Sequence, residues 1–229
     1  MPSPSPADDS RILTEADVRV LPFFPLPDAV LIPGALLPLH VFEPRYREMA
    51  HHVLAGDRLL AVARLRPGFE LDYQGRPPVY EVCGVGEVVD DTRRSDGRYD
   101  IVLKGLARVR IADELPPLQT YRTMRAELLG DQARGEPATA QAWQMQLALL
   151  WQKLGPQLPP KLRDLRAFLG NRTEPGVIAD RIGAAILADP DDRQRLLEEL
   201  DPAERLALLA QHIQELLGAL TGGRTLDLN

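Results

Sequence analysis

Tyr99–Ile111, YDIVLKGLARVRI, has the clearest alternation of apolar and polar residues in the chain. Its apolar members are Tyr99, Ile101, Leu103, Ala107, Val109 and Ile111, and its charged members are Asp100, Lys104, Arg108 and Arg110. Successive side chains of a strand point to opposite faces, so this pattern predicts a β-strand with one apolar and one charged face. Asp96-Gly97, directly before it, predicts a hairpin turn.

Further strands are predicted on both sides of this segment. Apolar runs bounded by glycine or proline predict strands at Arg58–Arg66, Val79–Val89 and Tyr121–Leu129. Between the first two runs lies PGFELDYQGRPP (67–78), where glycines and prolines argue against any regular element. A short helix is predicted after Pro44, because Tyr46, Met49, Ala50, Val53 and Leu54 recur at helical spacing.

From Pro137 onward the apolar residues recur every three or four positions, which is typical of helices. A first helix is predicted with Trp143, Leu147, Leu150 and Leu154 on its apolar stripe. Further helices are predicted at Lys161–Leu169, at Glu174–Leu187 and from Asp189-Pro190 to Leu200. A terminal helix is predicted after Asp201-Pro202-Ala203-Glu204, which combines a capping residue, a first-turn proline and a carboxylate at the third position.

These elements predict an α+β protein, with a mainly antiparallel, curled β domain followed by an α-helical bundle. The predicted divisions are a flexible N-terminus at 1–17, the β-rich domain at 18–132, the helical bundle at 133–222 and a flexible tail at 223–229. The N-terminal segment is rich in proline and serine and is acidic, a composition that does not favour ordering.

Composition narrows the functional class. The 229 residues are 45% apolar, enough for a buried core, and carry a net charge of −6, which argues against nucleic acid as a partner. Neither a basic leader nor a run of about 20 apolar residues is present, so export and membrane insertion are not expected. The single cysteine, Cys83, fits a reducing cytoplasm, and with four scattered histidines it gives no pattern for a metal site. No cofactor is expected.

Four segments of the first 130 residues are more specific as an ordered set than any one of them is alone. They are LPLHVFEPRYREM (37–49), RPGFELDYQGRPPVY (66–80), VCGVGEVVD (82–90) and GRYDIVLKGLARVRI (97–111), after a proline-rich entry, LPFFPLPDAVLIPGA (21–35). Together they resemble the N-terminal, substrate-binding domain family of Lon protease, particularly its stand-alone members. The resemblance implies a PUA-like curled β domain followed by helices, which engages polypeptide substrates.

The resemblance does not extend to the ATPase or to the protease. A phosphate-binding G-x-x-x-x-G-K-[ST] motif is missing from the sequence, because Lys104, Lys153 and Lys161 follow Leu, Gln and Pro. A protease half with a Ser–Lys pair does not fit in the chain either. We therefore expect binding without catalysis.

Candidate binding residues lie in two segments. Phe69 and Tyr73 are aromatic residues in a loop rich in glycine and proline, where they form either a binding lip or a cover over the loop's own core. Arg45, with Glu43 and Tyr46, lies where a strand enters a helix, and these residues either line a cleft or serve the helix start and its buried face. Phe69, Tyr73 and Arg45 are the predicted peptide-binding residues.

Other side chains that could act in catalysis or ligand binding are better explained by structural roles. His40 is expected to be a hydrogen-bonded residue of a strand, Cys83 a buried thiol, and at least one of His51 and His52 solvent-exposed. The acidic pairs Asp8-Asp9, Asp90-Asp91 and Asp191-Asp192 are expected in caps, turns and solvated faces. Arg93, Arg94 and Arg98 form a basic cluster, which either protects a sheet edge or contacts an acidic peptide or a phosphate backbone.

The leading hypothesis is a non-catalytic protein that binds unfolded or extended polypeptide segments, as an adaptor or holdase in protein quality control. Two alternatives remain open. One is a small hydrolase or peptidase that uses His40, Cys83 or an acidic pair. The other is a PUA-like RNA-binding module that uses the arginine cluster, although fold analogy alone is a weak argument for function.

Overall fold

The computed structural model describes residues 11–73, 75–158, 162 and 173–221. The strands are β1 (Leu21–Leu26), β2 (Leu36–Val41), β3 (Leu59–Arg64), β4 (Val82–Arg93), β5 (Tyr99–Glu114) and β6 (Thr123–Leu129). The helices are α1 (Pro44–Ala55), α2 (Pro137–Leu154), α3 (Pro175–Ile186), α4 (Pro190–Glu198) and α5 (Pro202–Thr221). The predicted α+β class is thereby confirmed.

The strands form one sheet that closes on itself. Their order is β2-β5-β4-β3-β1-β6, and β6 pairs back onto β5, so five of the strands make a barrel and β2 extends it. β1 and β3 are parallel, and the other pairs are antiparallel. Closure removes the unpaired strand edges that an open sheet would expose.

The long strand β5 makes this closure possible. Its first half pairs with β2 and its second half with β6, while β4 pairs along most of its length. The register between β4 and β5 shifts at Val85/Gly86, and such an irregularity increases local twist and helps a strand to curl. The predicted strand at Tyr99–Ile111 is therefore confirmed, and the structure extends it to Glu114.

Three apolar clusters fill the molecule. One lies inside the barrel, with side chains from β1, β3, β4, β5 and β6. A second lies between the barrel wall and α1, whose predicted buried face is confirmed by Tyr46, Met49, Ala50 and Val53. The third lies among the helices and includes Val30, Ile32 and Val82 from the β half. The helices consequently pack directly on the barrel.

The β1–β2 loop reaches this third cluster because glycine lets it approach the strands. A Cβ on Gly84 would lie 1.8 Å from the carbonyl oxygen of Leu31, and one on Gly105 would lie 2.3 Å from that of Ile32. Either contact is shorter than the atoms allow, so these positions require glycine. The loop can thus lie against β4 and β5 and present Val30 and Ile32 to the helices.

Each of the five helices whose bounds are given above begins with proline, which has the backbone angle of a first turn and lacks the N–H that would be unsatisfied there. The predicted cap of the terminal helix is present, since the Asp201 side chain accepts from the backbone N–H of Ala203 at 2.9 Å. The predicted apolar stripe of α2 is also present: Leu147, Leu150 and Leu154 are buried, and Trp143 is half-buried.

Some sequence predictions need correction, and others concern residues outside the described part of the chain. The 67–78 segment contains a 3₁₀ turn at Phe69–Asp72, so the expectation of no regular element there was wrong. Val79 makes an isolated bridge with Leu65, and the following strand begins at Val82. Of the helix predicted at Lys161–Leu169, all but Leu162 lies outside the described residues, as do residues 1–10 and 222–229 of the predicted termini.

The charged face of β5 contains the largest departure from the sequence pattern. Arg108 is only 4% exposed, because α3 and α4 cover it. Its Nη1 donates to Asp180 Oδ2 at 2.8 Å, and its Nε donates to the Leu197 carbonyl at 3.0 Å. Arg205 on α5 approaches the same carboxylate, with 3.1 Å from Nη1 to Oδ1. Asp180 thus connects a barrel strand with two helices.

The division into domains at 132/133 stays a prediction.

No helix in the described part of the chain has the length and apolar character needed to cross a bilayer.

Candidate functional site

Two of the three predicted binding residues, Arg45 and Tyr73, meet at the start of α1. Glu43, the extended residue before Pro44, accepts from Arg45 Nε at 3.1 Å and from the Tyr73 hydroxyl at 2.7 Å. Arg45 Nη2 also donates to the Tyr73 carbonyl at 3.2 Å. The Arg45 guanidinium lies 4.5 Å from the Tyr46 ring centroid and 5.3 Å from that of Tyr73. Glu43 and Arg45 therefore hold the 67–78 segment against the helix.

The segment held in this way presents an apolar surface, which we call the aromatic lip and define as Phe69, Leu71 and Tyr73. Gly68 has φ of +89° and turns the chain into the 3₁₀ turn. The Phe69 and Tyr73 rings then lie 6.2 Å apart at 56°, both half-buried, while Leu71 is 96% exposed. The loop thus folds back on the protein, as one of the two interpretations of the sequence has it, and still exposes a large apolar side chain.

Burial around this site suppresses ionisation of its tyrosines. Partial burial, followed by the hydrogen bond and charge of Glu43, raises the pKa of Tyr73. Burial raises the pKa of Tyr46 to about 12. Both hydroxyls are therefore neutral near pH 7, where Tyr73 serves as a hydrogen-bond donor.

An open cleft of about 300 Å³ lies beside Arg45 and Tyr46. Its other walls include Arg76, Tyr121 and Arg122, which follow the lip or belong to the β5–β6 connection. Arg122 makes a two-pronged ion pair with Glu114, with both nitrogen–oxygen distances at 2.8 Å, and Arg76 approaches the same carboxylate at 3.3 Å. The cleft is thus polar and rigidly supported, next to an apolar lip.

The contact between Arg45 and Tyr73 could not be read from periodicity, since 28 residues separate them. Arg122 and Tyr121 were missed altogether, because the sequence placed them in an ordinary strand. A binding role for Phe69, Tyr73 and Arg45 stays a prediction at this point.

The residues considered for catalysis lie in environments that suit structural roles. Cys83 lies in the barrel interior at 1% exposure, and burial raises the pKa of its thiol to about 12. A neutral, enclosed thiol is a poor nucleophile. His40 is exposed on β2 and hydrogen-bonds through Nδ1 to Asp100 Oδ1 at 2.6 Å, as the structural interpretation expected. The hydrogen bonds from His40 and Arg94 lower the pKa of Asp100.

The remaining charged candidates also have structural partners. His51 and His52 are both exposed, and His52 Nδ1 lies 2.9 Å from the Tyr121 hydroxyl. Asp91 pairs with Arg58 at 2.6 Å, and the backbone N–H of Asp191 donates to the Asp189 cap of α4. Asp8-Asp9 lies outside the described residues. Among those residues, we find no group of three or more His, Cys, Asp or Glu side chains suited to hold a metal ion.

The arginine cluster divides into two kinds. Arg94 Nε pairs with Asp100 at 2.6 Å and Arg98 Nε with Asp96 at 3.3 Å, so nearby carboxylates balance their charges. Arg93 instead lies over the Tyr99 ring, 5.8 Å from its centroid. A phosphate backbone would have to compete with existing ion pairs at two of the three arginines.

Two solved structures share the architecture described above. The N-terminal domain of the Mycobacterium avium complex Lon protease aligns with a TM-score of 0.64 and 18% identity, covering 85% of this chain and 98% of that chain. A Lon N-terminal domain protein from Xanthomonas campestris aligns with a TM-score of 0.59 and 21% identity, covering 83% and 96%. The molecule therefore has the fold of Lon N-terminal domains, which confirms the expected fold class.

Curated relatives extend the likeness to the sequence. The Lon protease of Roseiflexus castenholzii is 30% identical over 228 residues, which are 98% of this chain and 27% of the relative. Lon protease 2 of Myxococcus xanthus is 28% identical over 204 residues, with coverage of 87% and 24%. The chain spans about a quarter of the length of these relatives.

Residues 20–215 match the family model of the ATP-dependent protease La (LON) substrate-binding domain. Because this match covers most of both the barrel and the helical half, the chain belongs to the Lon substrate-binding domain family. The family predicted from the four segments is confirmed.

Proposed function

We propose that this chain is a non-catalytic module that binds extended polypeptide segments with exposed apolar side chains, and that the aromatic lip is its contact surface. Family membership supports a polypeptide ligand. The observation that carries the choice of surface is Leu71, which is 96% exposed although the half-buried rings of Phe69 and Tyr73 are fixed on either side of it.

Binding at the lip would draw on burial of apolar surface. Removing apolar area from water contributes roughly 25 cal/mol per Å², from which the loss of freedom on association is subtracted. A surface of three side chains gives modest affinity and little sequence selectivity. These properties suit a module that meets many different unfolded segments.

The contacts of Glu43 and Arg45 support this role because they lower the cost of ordering the lip. A loop that is already fixed by hydrogen bonds loses less conformational entropy when a ligand binds. Arg45 donates to the Tyr73 carbonyl, and Glu43 accepts from the Tyr73 hydroxyl, so both ends of the tyrosine are held. In this proposal, Arg45 positions the lip and lines the adjacent cleft.

The test is fluorescence anisotropy with a short labelled peptide in which Leu and Phe alternate with Asn and Gln. We expect Phe69→Ala/Tyr73→Ala to weaken binding about tenfold or more, since aromatic anchors at the centre of an interface commonly contribute at least that much. Ile12→Ala is the matched control, because Ile12 is 90% exposed and lies outside the lip. Equal affinity of both variants for the peptide would show that the lip is not the contact surface.

The two finer roles, adaptor and holdase, predict different experimental results. A holdase keeps a thermally unfolded client in solution, as light scattering measures, and the lip variant loses this effect. An adaptor accelerates degradation of a bound client by a separate Lon protease, as gel analysis with ATP measures.

The cytoplasmic setting inferred from the single cysteine stays a prediction.

A further inference from the structure

A second cleft lies on the other side of α1 from the aromatic lip. Arg45 and Arg47 are two positions apart, so their side chains project about 200° apart around the helix. Arg47 lines an open cleft of about 390 Å³ between α1 and the β4–β5 hairpin. We call it the basic cleft and define it by Arg47, His51 and Arg93, which line it together with Pro44, Glu48, Gly97 and Tyr99.

The arginines of the basic cleft differ from their neighbours in charge balance. Arg94 and Arg98 on the same hairpin pair with Asp100 and Asp96. Within the part of the chain that the structure describes, neither Arg47 nor Arg93 makes an ion pair with a carboxylate. The cleft contains one acidic residue, Glu48, whose Oε2 accepts from the Thr120 hydroxyl at 2.9 Å. The cleft therefore has an excess of positive charge on a chain whose net charge is −6.

Both guanidinium groups are also supported by packing. Arg93 lies 5.8 Å from the centroid of the Tyr99 ring. Arg47 lies so close to the hairpin turn that a Cβ on Gly97 would be 2.2 Å from its Nη2. Gly97 has φ of +81°, and glycine both allows this turn and leaves room for the guanidinium. Arginines that are already oriented lose less side-chain entropy when an anion binds.

We propose that the basic cleft binds side-chain carboxylates of an acidic stretch in the polypeptide that the aromatic lip engages. This inference rests on the proposed function and adds a substrate class to it, namely segments in which apolar residues are accompanied by Asp or Glu. Arginine suits this ligand because its planar group can donate two parallel hydrogen bonds to a carboxylate. A nucleic-acid backbone carries a negative charge at every phosphate along its length, so the net charge of −6 disfavours it as the occupant more than it disfavours a short acidic stretch.

The test compares two labelled peptides with the same alternating Leu and Phe residues. In the amide peptide the intervening residues are Asn and Gln, and in the acidic peptide they are Asp and Glu. We expect the full chain to bind the acidic peptide about tenfold more tightly at low salt, because charge-assisted hydrogen bonds contribute this much or more. The preference should shrink as salt is added.

Arg47→Gln/Arg93→Gln should abolish the preference and leave affinity for the amide peptide unchanged. Arg94→Gln/Arg98→Gln is the matched control, since it removes the same charge from the same surface but from arginines that are already paired, and it should retain the preference. Circular dichroism verifies that both variants are folded.

Four results would overturn the inference. If wild type binds the two peptides equally, the basic cleft has no role while the proposed lip function still stands. If both double variants reduce the preference to the same degree, general charge and not this cleft explains it. If neither peptide binds, the inference and the proposed function fail together. Tighter binding of a single-stranded RNA oligonucleotide than of the acidic peptide, lost in Arg47→Gln/Arg93→Gln, would assign the cleft to a different ligand.

Discussion

Two groups of arginine and carboxylate side chains in this molecule use the same chemistry at different degrees of burial. On the inner face of the helical half, Asp180 lies between Arg108 and Arg205, which are 4% and 0% exposed. At the start of α1, Glu43 lies between Arg45 and Tyr73, and the side chains of Glu43 and Arg45 each remain 18% exposed. The first cluster is enclosed by the barrel and the helices, whereas the second borders an open cleft.

The difference indicates which charges stabilise the fold and which are available to a ligand. An enclosed charge cannot be left without its partner except at high cost, so it fixes the elements that supply it. A half-exposed pair is screened by water, contributes less to stability, and can exchange its contacts with a ligand. The α1 cluster belongs to the second kind, and the arginines of the neighbouring basic cleft, which make no ion pair with a carboxylate within the described residues, are likewise open to a ligand.

The strongest test of this comparison is Asp180→Ala. The substitution leaves buried Arg108 without its carboxylate partner and buried Arg205 with Asp131 as its remaining one, so we expect the free energy of unfolding to fall by about 3–5 kcal/mol. Chemical denaturation monitored by circular dichroism measures the loss. The control is Asp191→Ala, which removes a largely exposed carboxylate from its pair with Arg64 and should cost less than about 1 kcal/mol. Similar losses in the two variants would contradict the distinction.

Glu43→Gln tests the open cluster. Glutamine keeps the shape of the side chain but removes the charge that pairs with Arg45 and accepts from Tyr73. Because the site is half-exposed, we expect the free energy of unfolding to fall by no more than about 1 kcal/mol. Affinity for the amide peptide should nevertheless fall severalfold, since the lip is less firmly held. A stability loss as large as that of Asp180→Ala, with unchanged peptide affinity, would make this cluster structural.

The last prediction concerns Asp201, which caps α5 and also accepts from the backbone N–H of Arg134 at 2.8 Å. Burial opposes its ionisation, but the backbone hydrogen bonds from Arg134 and Ala203 outweigh burial and lower its pKa. Asp201→Ala should cost about 1 kcal/mol at pH 7.

Since the folded-state pKa of Asp201 is depressed, the cap contributes fully above the unfolded pKa of about 4 and loses its contribution as pH falls through the lower folded value. The stability difference between wild type and Asp201→Ala should therefore shrink in acid, as denaturation curves at neutral and acidic pH will measure. A difference that stays constant down to the acid transition would argue against the carboxylate as the source.

The sequence was most informative where a local rule governs the structure. The prolines that open the helices, the Asp201 cap and the alternation in β5 each depend on neighbouring residues, and each led to the correct element. Family resemblance supplied the curled sheet, which the strand pattern alone indicated only loosely. Closure of the barrel depends on β5 pairing with β6 at a particular register, and that pairing is not encoded in either strand separately.

Arg108 shows where the local rule fails. Alternation places it with Asp100, Lys104 and Arg110, but alternation does not reveal whether a charged face meets water or a helix. Its partner Asp180 lies 72 residues away, so no spacing rule connects them. The lip has the same character, because Phe69 and Tyr73 could be identified as loop aromatics, whereas the attachment of Tyr73 to Glu43 depends on the folded chain.

The position of Asp180 has a consequence for recombination between members of the family. One carboxylate on α3 pairs with a guanidinium from the barrel and with another from α5, which also pairs with Asp131. A chimera that joins this barrel to the helices of a relative must bring a carboxylate to the same place, or the junction will enclose a lone cation. Exchanging the halves between relatives therefore tests whether the barrel and its helices must be inherited together. We expect them to be exchangeable only as matched sets.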